Sequence, residues 1–214
     1  MLDLDLEFPF EKLAQDLQTT GISILPNFVS PDILSKLELR IAELSSDDFK
    51  QAGIGRLASH EQNKKIRRDK IHWLDTSNEL ESVWLNYMGE LKAYLNRRLF
   101  MGLFSYESHF AIYPPGAFYK KHLDAFKGKT NRILTTVLYL NQSWAPDNGG
   151  ELVVFNPDNH DEILTTVLPS YGTLVTFLSD EFPHEVLVAN EKRYSIAGWF
   201  RVNASINHSI DPPK

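Results

Sequence analysis

His122-Leu123-Asp124 sets an imidazole and a carboxylate one residue apart. On an extended segment that spacing turns both side chains to one face, because strand side chains alternate with a period of two. His184 then needs only to arrive on a neighbouring strand to bring two imidazoles and one carboxylate to one side of a metal ion. Three ligands on one side leave the opposite positions open, and open positions are where small molecules and dioxygen bind. Such a set is the usual holder of non-haem Fe(II) in oxygenases. A metal with open positions can chelate a 2-oxo acid through one carboxylate oxygen and the keto oxygen. The far carboxylate then lies deeper in the protein, where burying it unpaired is costly. Arg193 answers that need with two parallel donors.

These residues sit in the β-rich part of the chain. Beyond about Gly102, short runs of β-branched and aromatic residues follow one another, separated by Pro, Gly, Asn and Asp. They are Ser108–Tyr113, Phe118–His122, Ile133–Leu140, Glu151–Phe155, Ile163–Leu168, Thr173–Leu178, Glu185–Val188 and Tyr194–Val202. With no helical pattern between them, they predict a barrel or jelly roll rather than a parallel sheet. His122 and Asp124 close one run, His184 opens another, and Arg193 starts the next. From Arg193, the side chains of Ser195, Ala197 and Trp199 share its face; the small ones leave room for a ligand and Trp199 makes a wall. Tyr139 shares a face with Val137 and Thr135, so its hydroxyl is a candidate second donor to the cosubstrate.

The first part of the chain reads differently. Phe10, Leu13, Ala14 and Leu17 have helical spacing, and Gly21–Leu25 reads as a short strand. Ser30-Pro31-Asp32 is a helix start, with a hydroxyl cap, proline in the first turn and an acid near the positive dipole end. The stripe Ile33, Leu34, Leu37, Ile41 and Leu44 follows it. A third helix is expected from near Ser77, with Leu80, Val83, Trp84, Tyr87, Leu91 and Leu95 on one face. The polar, glycine-bearing stretch around 46–75 predicts a mobile loop or ribbon. The expected organisation is one compact unit: 1–105 as helical support, 106–202 as the β core and 203–214 as a tail.

Composition sets the outer bounds. The chain has 214 residues, 43% of them hydrophobic and 12% aromatic, which is ample for one core. It has no cysteine, so thiolate metal sites are excluded. The acidic first residues and the lack of a long apolar run lead to the expectation of a soluble, cytoplasmic protein without membrane contact. A net charge of −6 argues against nucleic acid as the main partner. The local exception is 64–70, with five cations in seven positions, read first as a solvated face. His60, His72, His109, His160 and His208 are read as ordinary polar histidines.

The motifs also carry a family resemblance, over about Ile66 to Phe200. Tyr113-Pro114-Pro115-Gly116 before His122-Leu123-Asp124, then Tyr139-Leu140-Asn141, Gly149-Gly150-Glu151-Leu152, Pro183-His184-Glu185-Val186 and Arg193-Tyr194-Ser195-Ile196 are the segments concerned. They resemble the 2-oxoglutarate- and Fe(II)-dependent prolyl hydroxylases, above all the hypoxia-inducible-factor prolyl hydroxylases and their bacterial relatives. The resemblance implies a double-stranded β-helix with the N-terminal helices packed on one sheet. It implies Fe(II) on His122, Asp124 and His184, and 2-oxoglutarate on Arg193 and Tyr139, with Tyr113, Leu152 and Trp199 lining the pocket. Asp69, Arg132 and Tyr119 would then stand near the substrate. The implied reaction is O2-dependent hydroxylation of prolyl C4 in a protein, a translation component being one candidate. It releases succinate and CO2, with ascorbate as reductant. The same chemistry on a nucleic-acid base or free amino acid is the rival enzyme reading, with Arg201 as the nearest extra cation. A cupin-like binding module is the non-enzymatic one.

Overall fold

The computed structural model describes residues 4–52, 65–125, 131–203, 205–206 and 209–210. Among the described residues the α-helices are α1 (Leu4–Thr20), α2 (Pro31–Glu43) and α3 (Glu79–Leu99). Ser30 caps α2 through its hydroxyl, 3.4 Å from the Ile33 amide, and Pro31 follows in the first turn. The Asn78 side chain accepts from the amides of Leu80 and Glu81 at 3.0 and 3.1 Å, a cap of the kind worth about 1 kcal/mol. α1 and α3 run past the apolar stripes that announced them, because a stripe records only the buried face, whereas α2 ends at Glu43 and Leu44 is its extended C-cap.

The strands are β1 (Ile22–Leu25), β2 (Lys50–Gln51), β3 (Lys70–Trp73), β4 (Leu103–Tyr113), β5 (Tyr119–His122), β6 (Arg132–Tyr139), β7 (Leu152–Phe155), β8 (Ile163–Val167), β9 (Leu174–Leu178), β10 (His184–Val186) and β11 (Arg193–Val202). Seven of them form one sheet in the order β1-β9-β6-β11-β4-β3-β2, and four form a second in the order β5-β10-β7-β8. The pairings within both sheets are antiparallel.

Alternation along the central strands gives the larger sheet two apolar faces. On one, Phe110, Leu134, Leu138, Leu174, Ile196 and Phe200 meet Phe10, Leu13, Leu37, Trp84 and Leu91 of the helices. On the other, Tyr113, Val137, Tyr139, Val175 and Phe177 meet Leu152, Val154, Val167 and Val186 of the smaller sheet. The mainly β architecture is the expected double-stranded β-helix with helices covering one sheet, and the second interface is where the site lies.

Several boundaries differ from the sequence reading. Segment 1–105 is more than helical support, since it supplies β1, β2 and β3 to the larger sheet. β4 begins at Leu103 rather than Ser108, its first half paired with the end of β11, Ser105 opposite Arg201. The polar Ser105-Tyr106-Glu107 run hid it. β10 is His184–Val186, so His184 lies within the strand. In the 46–75 stretch, Lys50 and Gln51 pair with Ile71 and Lys70 as a ribbon. The remainder of that stretch over 53–64, and the readings of His60 and His208, fall outside the described residues. In the 203–214 tail, β12 (Ser205–Ile206) pairs with β13 (Ser209–Ile210). Among the described residues no helix is long and apolar enough to cross a membrane.

Candidate active site

β5 and β10 are neighbours, and His122 pairs directly with His184 across them. The His122 Nδ1 lies 2.7 Å from the Lys120 carbonyl, and the His184 Nδ1 lies 3.1 Å from the Phe182 carbonyl. A carbonyl oxygen only accepts, so each Nδ1 carries the hydrogen and each Nε2 presents a lone pair. Those Nε2 atoms stand 3.5 and 3.6 Å from the two carboxylate oxygens of Asp124. One ligand atom from each of the three residues lies within 4.8 Å of the others. Two rings hold the imidazoles in place: Tyr119 stacks on His122 at 3.6 Å, and Phe177 lies 4.7 Å from His184.

Asp124 is held as firmly. Its Oδ2 accepts from the Thr135 hydroxyl and from the Trp199 indole N–H, both at 2.9 Å, which leaves Oδ1 the less committed oxygen. Burial disfavours its charge, but the facing His184 and His122 imidazoles and Arg132 outweigh burial and keep the carboxyl well below the usual range. Burial, reinforced by His122, pushes His184 down to about 4, so its lone pair is free at neutral pH. Two imidazoles and one carboxylate on one side are a fitting donor set for Fe(II).

The cosubstrate test gives the same answer. Arg193 is 1% exposed. Its Nη1 donates to Ser195 Oγ at 3.2 Å, whereas Nε and Nη2 are buried with no partner, as is the Tyr139 hydroxyl. The guanidinium carbon lies 4.9 and 5.0 Å from the Tyr113 and Tyr139 ring centres. A buried cation with unanswered donors is costly unless an anion completes it, and a carboxylate does so. Leu152, 1% exposed, belongs to the same apolar cluster as Tyr113 and Tyr139. Trp199, read as a wall, does more through its bond to Asp124.

The flanking motifs build this corner. The Asn141 side chain accepts from the Tyr194 amide at 2.7 Å and donates to the Tyr194 and Pro169 carbonyls, fixing the chain next to Arg193. Gly150 has φ of 69°, and a Cβ there would stand 3.0 Å from Arg193 Cδ. Gly150→Ala is therefore expected to cost about 1–3 kcal/mol of stability and to weaken 2-oxoglutarate binding by moving Arg193. Urea unfolding and calorimetric titration of the Mn(II)-loaded protein check the two effects.

The residues expected near a substrate lie around this centre. Tyr119 covers His122. Arg132 stacks on Trp199, its guanidinium carbon 3.6 Å from the ring centre. Asp69 is fully buried and takes two bonds from Arg67, at 2.8 and 2.5 Å, while Arg67 lies over the Tyr119 ring at 4.3 Å. Arg67 is thus the residue through which Asp69 reaches the site. Arg201 is buried and bonded to Asn131 and Glu107 at 3.1 and 3.2 Å. Of the basic run, Lys65, Arg68 and Lys70 are exposed. Residues 66 and 68 of that run hydrogen-bond to 120 and 118 beside the metal cluster.

Sequence reading missed Thr135, Glu107, Arg67 and His109 as part of the site. Thr135 carried a signal, its shared face with Tyr139. His109 was set aside as an ordinary histidine, yet it is buried, its ring 5.0 Å from Trp73 and 5.5 Å from Trp199. Burial, with Arg67 beside it, pushes its pKa from 6.5 down to about 4. The native state keeps this ring neutral while the unfolded chain takes up the proton first. Stability is therefore present above 6.5 and lost as pH falls towards 4, by roughly 3 kcal/mol at about 1.4 kcal/mol per unit. A His109→Met variant should lose less urea resistance over that interval. Parallel declines in the two proteins would remove His109 from the account.

The comparisons with known proteins agree with this geometry. The family model described as the 2OG-Fe(II) oxygenase superfamily matches residues 108–201. A crystal structure of a Pseudomonas putida prolyl-4-hydroxylase is similar at a TM-score of 0.81 and 37% identity, covering 91% of this chain and 100% of that one. This chain belongs to the 2-oxoglutarate- and Fe(II)-dependent oxygenases, whose chemistry uses Fe(II), 2-oxoglutarate and O2. Its relatives there are prolyl hydroxylases. One, from Trichoplax adhaerens, is in complex with a hypoxia inducible factor oxygen degradation domain peptide fragment. It has a TM-score of 0.77 and 27% identity, over 92% of this chain and 90% of that one. Human Egl nine homolog 1 is 28% identical over 207 residues, 91% of this chain and 47% of its own length. The chain spans between 29% and 59% of the curated relatives it matches.

Proposed function

We propose that this chain is a prolyl 4-hydroxylase of protein substrates, with Fe(II) on His122, Asp124 and His184 and 2-oxoglutarate on Arg193 and Tyr139. The observation that carries the reading is the buried Arg193 guanidinium, two of its nitrogens unanswered, on a strand whose Trp199 bonds a residue of the metal cluster. Iron and cosubstrate supply the oxidising chemistry when bound, consuming O2 and 2-oxoglutarate and giving succinate and CO2.

The chain's own contribution is orientation and dryness. The Lys120 and Phe182 carbonyls fix the two imidazoles so that both Nε2 atoms converge. Arg193 binds the far carboxylate and Tyr139 adds a hydroxyl donor, while Tyr113, Leu152 and Trp199 keep water out. A prolyl target is favoured by the named activities of the relatives, and a protein substrate by the peptide complex of the Trichoplax protein. An extended X-Pro segment suits the edge formed by Tyr119, Arg132 and the Arg67–Asp69 pair, because proline presets its own φ and keeps its predecessor extended.

The test is incubation with Fe(II), 2-oxoglutarate, ascorbate as reductant and proline-bearing peptides, reading succinate and a one-oxygen mass gain mapped to proline. Succinate release with oxygen placed on another residue or molecule would keep the oxygenase and remove the prolyl reading.

A further inference from the structure

Asp124 Oδ2 is held by two groups from a single cross-strand row. Thr135 on β6 pairs directly with Trp199 on β11, and Trp199 pairs directly with Glu107 on β4. The first two donate to Asp124, and the third does not touch it. Glu107 instead accepts from Arg132 Nε and Nη2 at 3.2 and 2.9 Å through one oxygen, and from Arg201 Nη1 at 3.2 Å through the other. Arg132 is the guanidinium that lies over the Trp199 indole. It starts β6 opposite Arg201, where two like charges face each other across the strands and repel unless something neutralises them.

We propose that Glu107 is a positioning residue for the metal centre: it ties Arg132 down on the Trp199 ring, and the ring in turn keeps its N–H on Asp124 Oδ2. Without the Glu107 carboxylate, Arg132 and Arg201 push apart and Arg132 leaves the indole. Trp199 then gains freedom to turn, and the orientation of Asp124 loosens. The other neighbours of the indole, His109 and Trp73, lie 5.5 and 6.3 Å away between ring centres and leave Arg132 the closest cover. The inference rests on the metal reading of the three ligands and is independent of which substrate is hydroxylated.

The test is the affinity of the metal-free full chain for Mn(II), read from the free-ion electron paramagnetic resonance signal, with the melting temperature of the metal-free protein alongside. Glu107→Ala is expected to weaken Mn(II) binding about tenfold, the lower end of what loss of a group supporting a metal ligand does. Glu107→Gln, which keeps the shape and loses the charge, should fall between it and wild type. A Trp199→Phe protein, lacking the indole N–H, should already bind weakly, and Glu107→Ala added to it should weaken binding no further. A purely structural Glu107 would lower the melting temperature and leave Mn(II) affinity unchanged, which overturns the proposal. An equal loss in the Trp199→Phe background overturns it too, since Glu107 would then act by another route. Wild-type binding that is indifferent to His122→Ala would remove the metal reading itself and this inference with it.

Discussion

Arg193→Met is expected to lower the affinity for 2-oxoglutarate by about two to three orders of magnitude while leaving Mn(II) binding near the wild-type value. Methionine fills most of the same space but offers no donor, so the far carboxylate of the ligand would be buried without its cation. Breaking a buried ion pair by removing one partner costs about 3–5 kcal/mol, and each ~1.4 kcal/mol is a factor of ten in the dissociation constant. The free protein should respond in the opposite sense. Two Arg193 nitrogens are buried there without partners, so removing them should leave the ligand-free chain at least as resistant to urea as wild type. Tighter folding with lost cosubstrate affinity is a signature that general misfolding cannot mimic. A variant that binds 2-oxoglutarate normally would end the assignment of Arg193.

His122→Ala should abolish iron-dependent turnover of 2-oxoglutarate whatever substrate is offered. The ligand set has three members within 4.8 Å of one another, and loss of one leaves a single imidazole and a carboxylate. Two ligands neither retain the ion well nor define which of its positions stay open. His122 is also the partner of Tyr119 in a 3.6 Å stack, so the substitution opens a space beside the centre. Conversion of 2-oxoglutarate to succinate, measured with and without added Fe(II), checks the prediction. Persistent iron-dependent conversion would mean that the metal is held elsewhere.

What the sequence made legible follows from periodicity. The two-residue steps from Arg193 to Trp199 are statements about a single strand, and a strand's own alternation settles them, whereas Asp124 lies two residues past the end of β5 and is held by Thr135 and Trp199. The runs alone pointed to a barrel or jelly roll, since each could be read by itself, and the resemblance supplied the double-stranded β-helix. The hidden part depends on which strand lies beside which, and in what register. That Trp199 reaches Asp124, that Thr135 shares the same oxygen and that Glu107 stands opposite Trp199 all require the β6-β11-β4 order. Nothing in the local spelling of Ser105-Tyr106-Glu107 announces a strand, so the acid was invisible until its neighbour was placed. Asp69, placed near a substrate by the resemblance, is fully buried and bonded to Arg67, a pairing no local spacing announces.

The two-sided larger sheet has a consequence for how the protein reaches its working form. On β11, Ser195 accepts from Arg193 and Trp199 donates to Asp124, while Ile196 and Phe200 are buried among the helices. A slip of one position against β4 or β6 would thrust Trp199 and Arg193 into oil and leave Ile196 and Phe200 facing the carboxylate of Asp124. Every such misalignment is penalised twice, once on each side, so the helical layer acts as a proofreader of catalytic alignment although it packs on the sheet's other face.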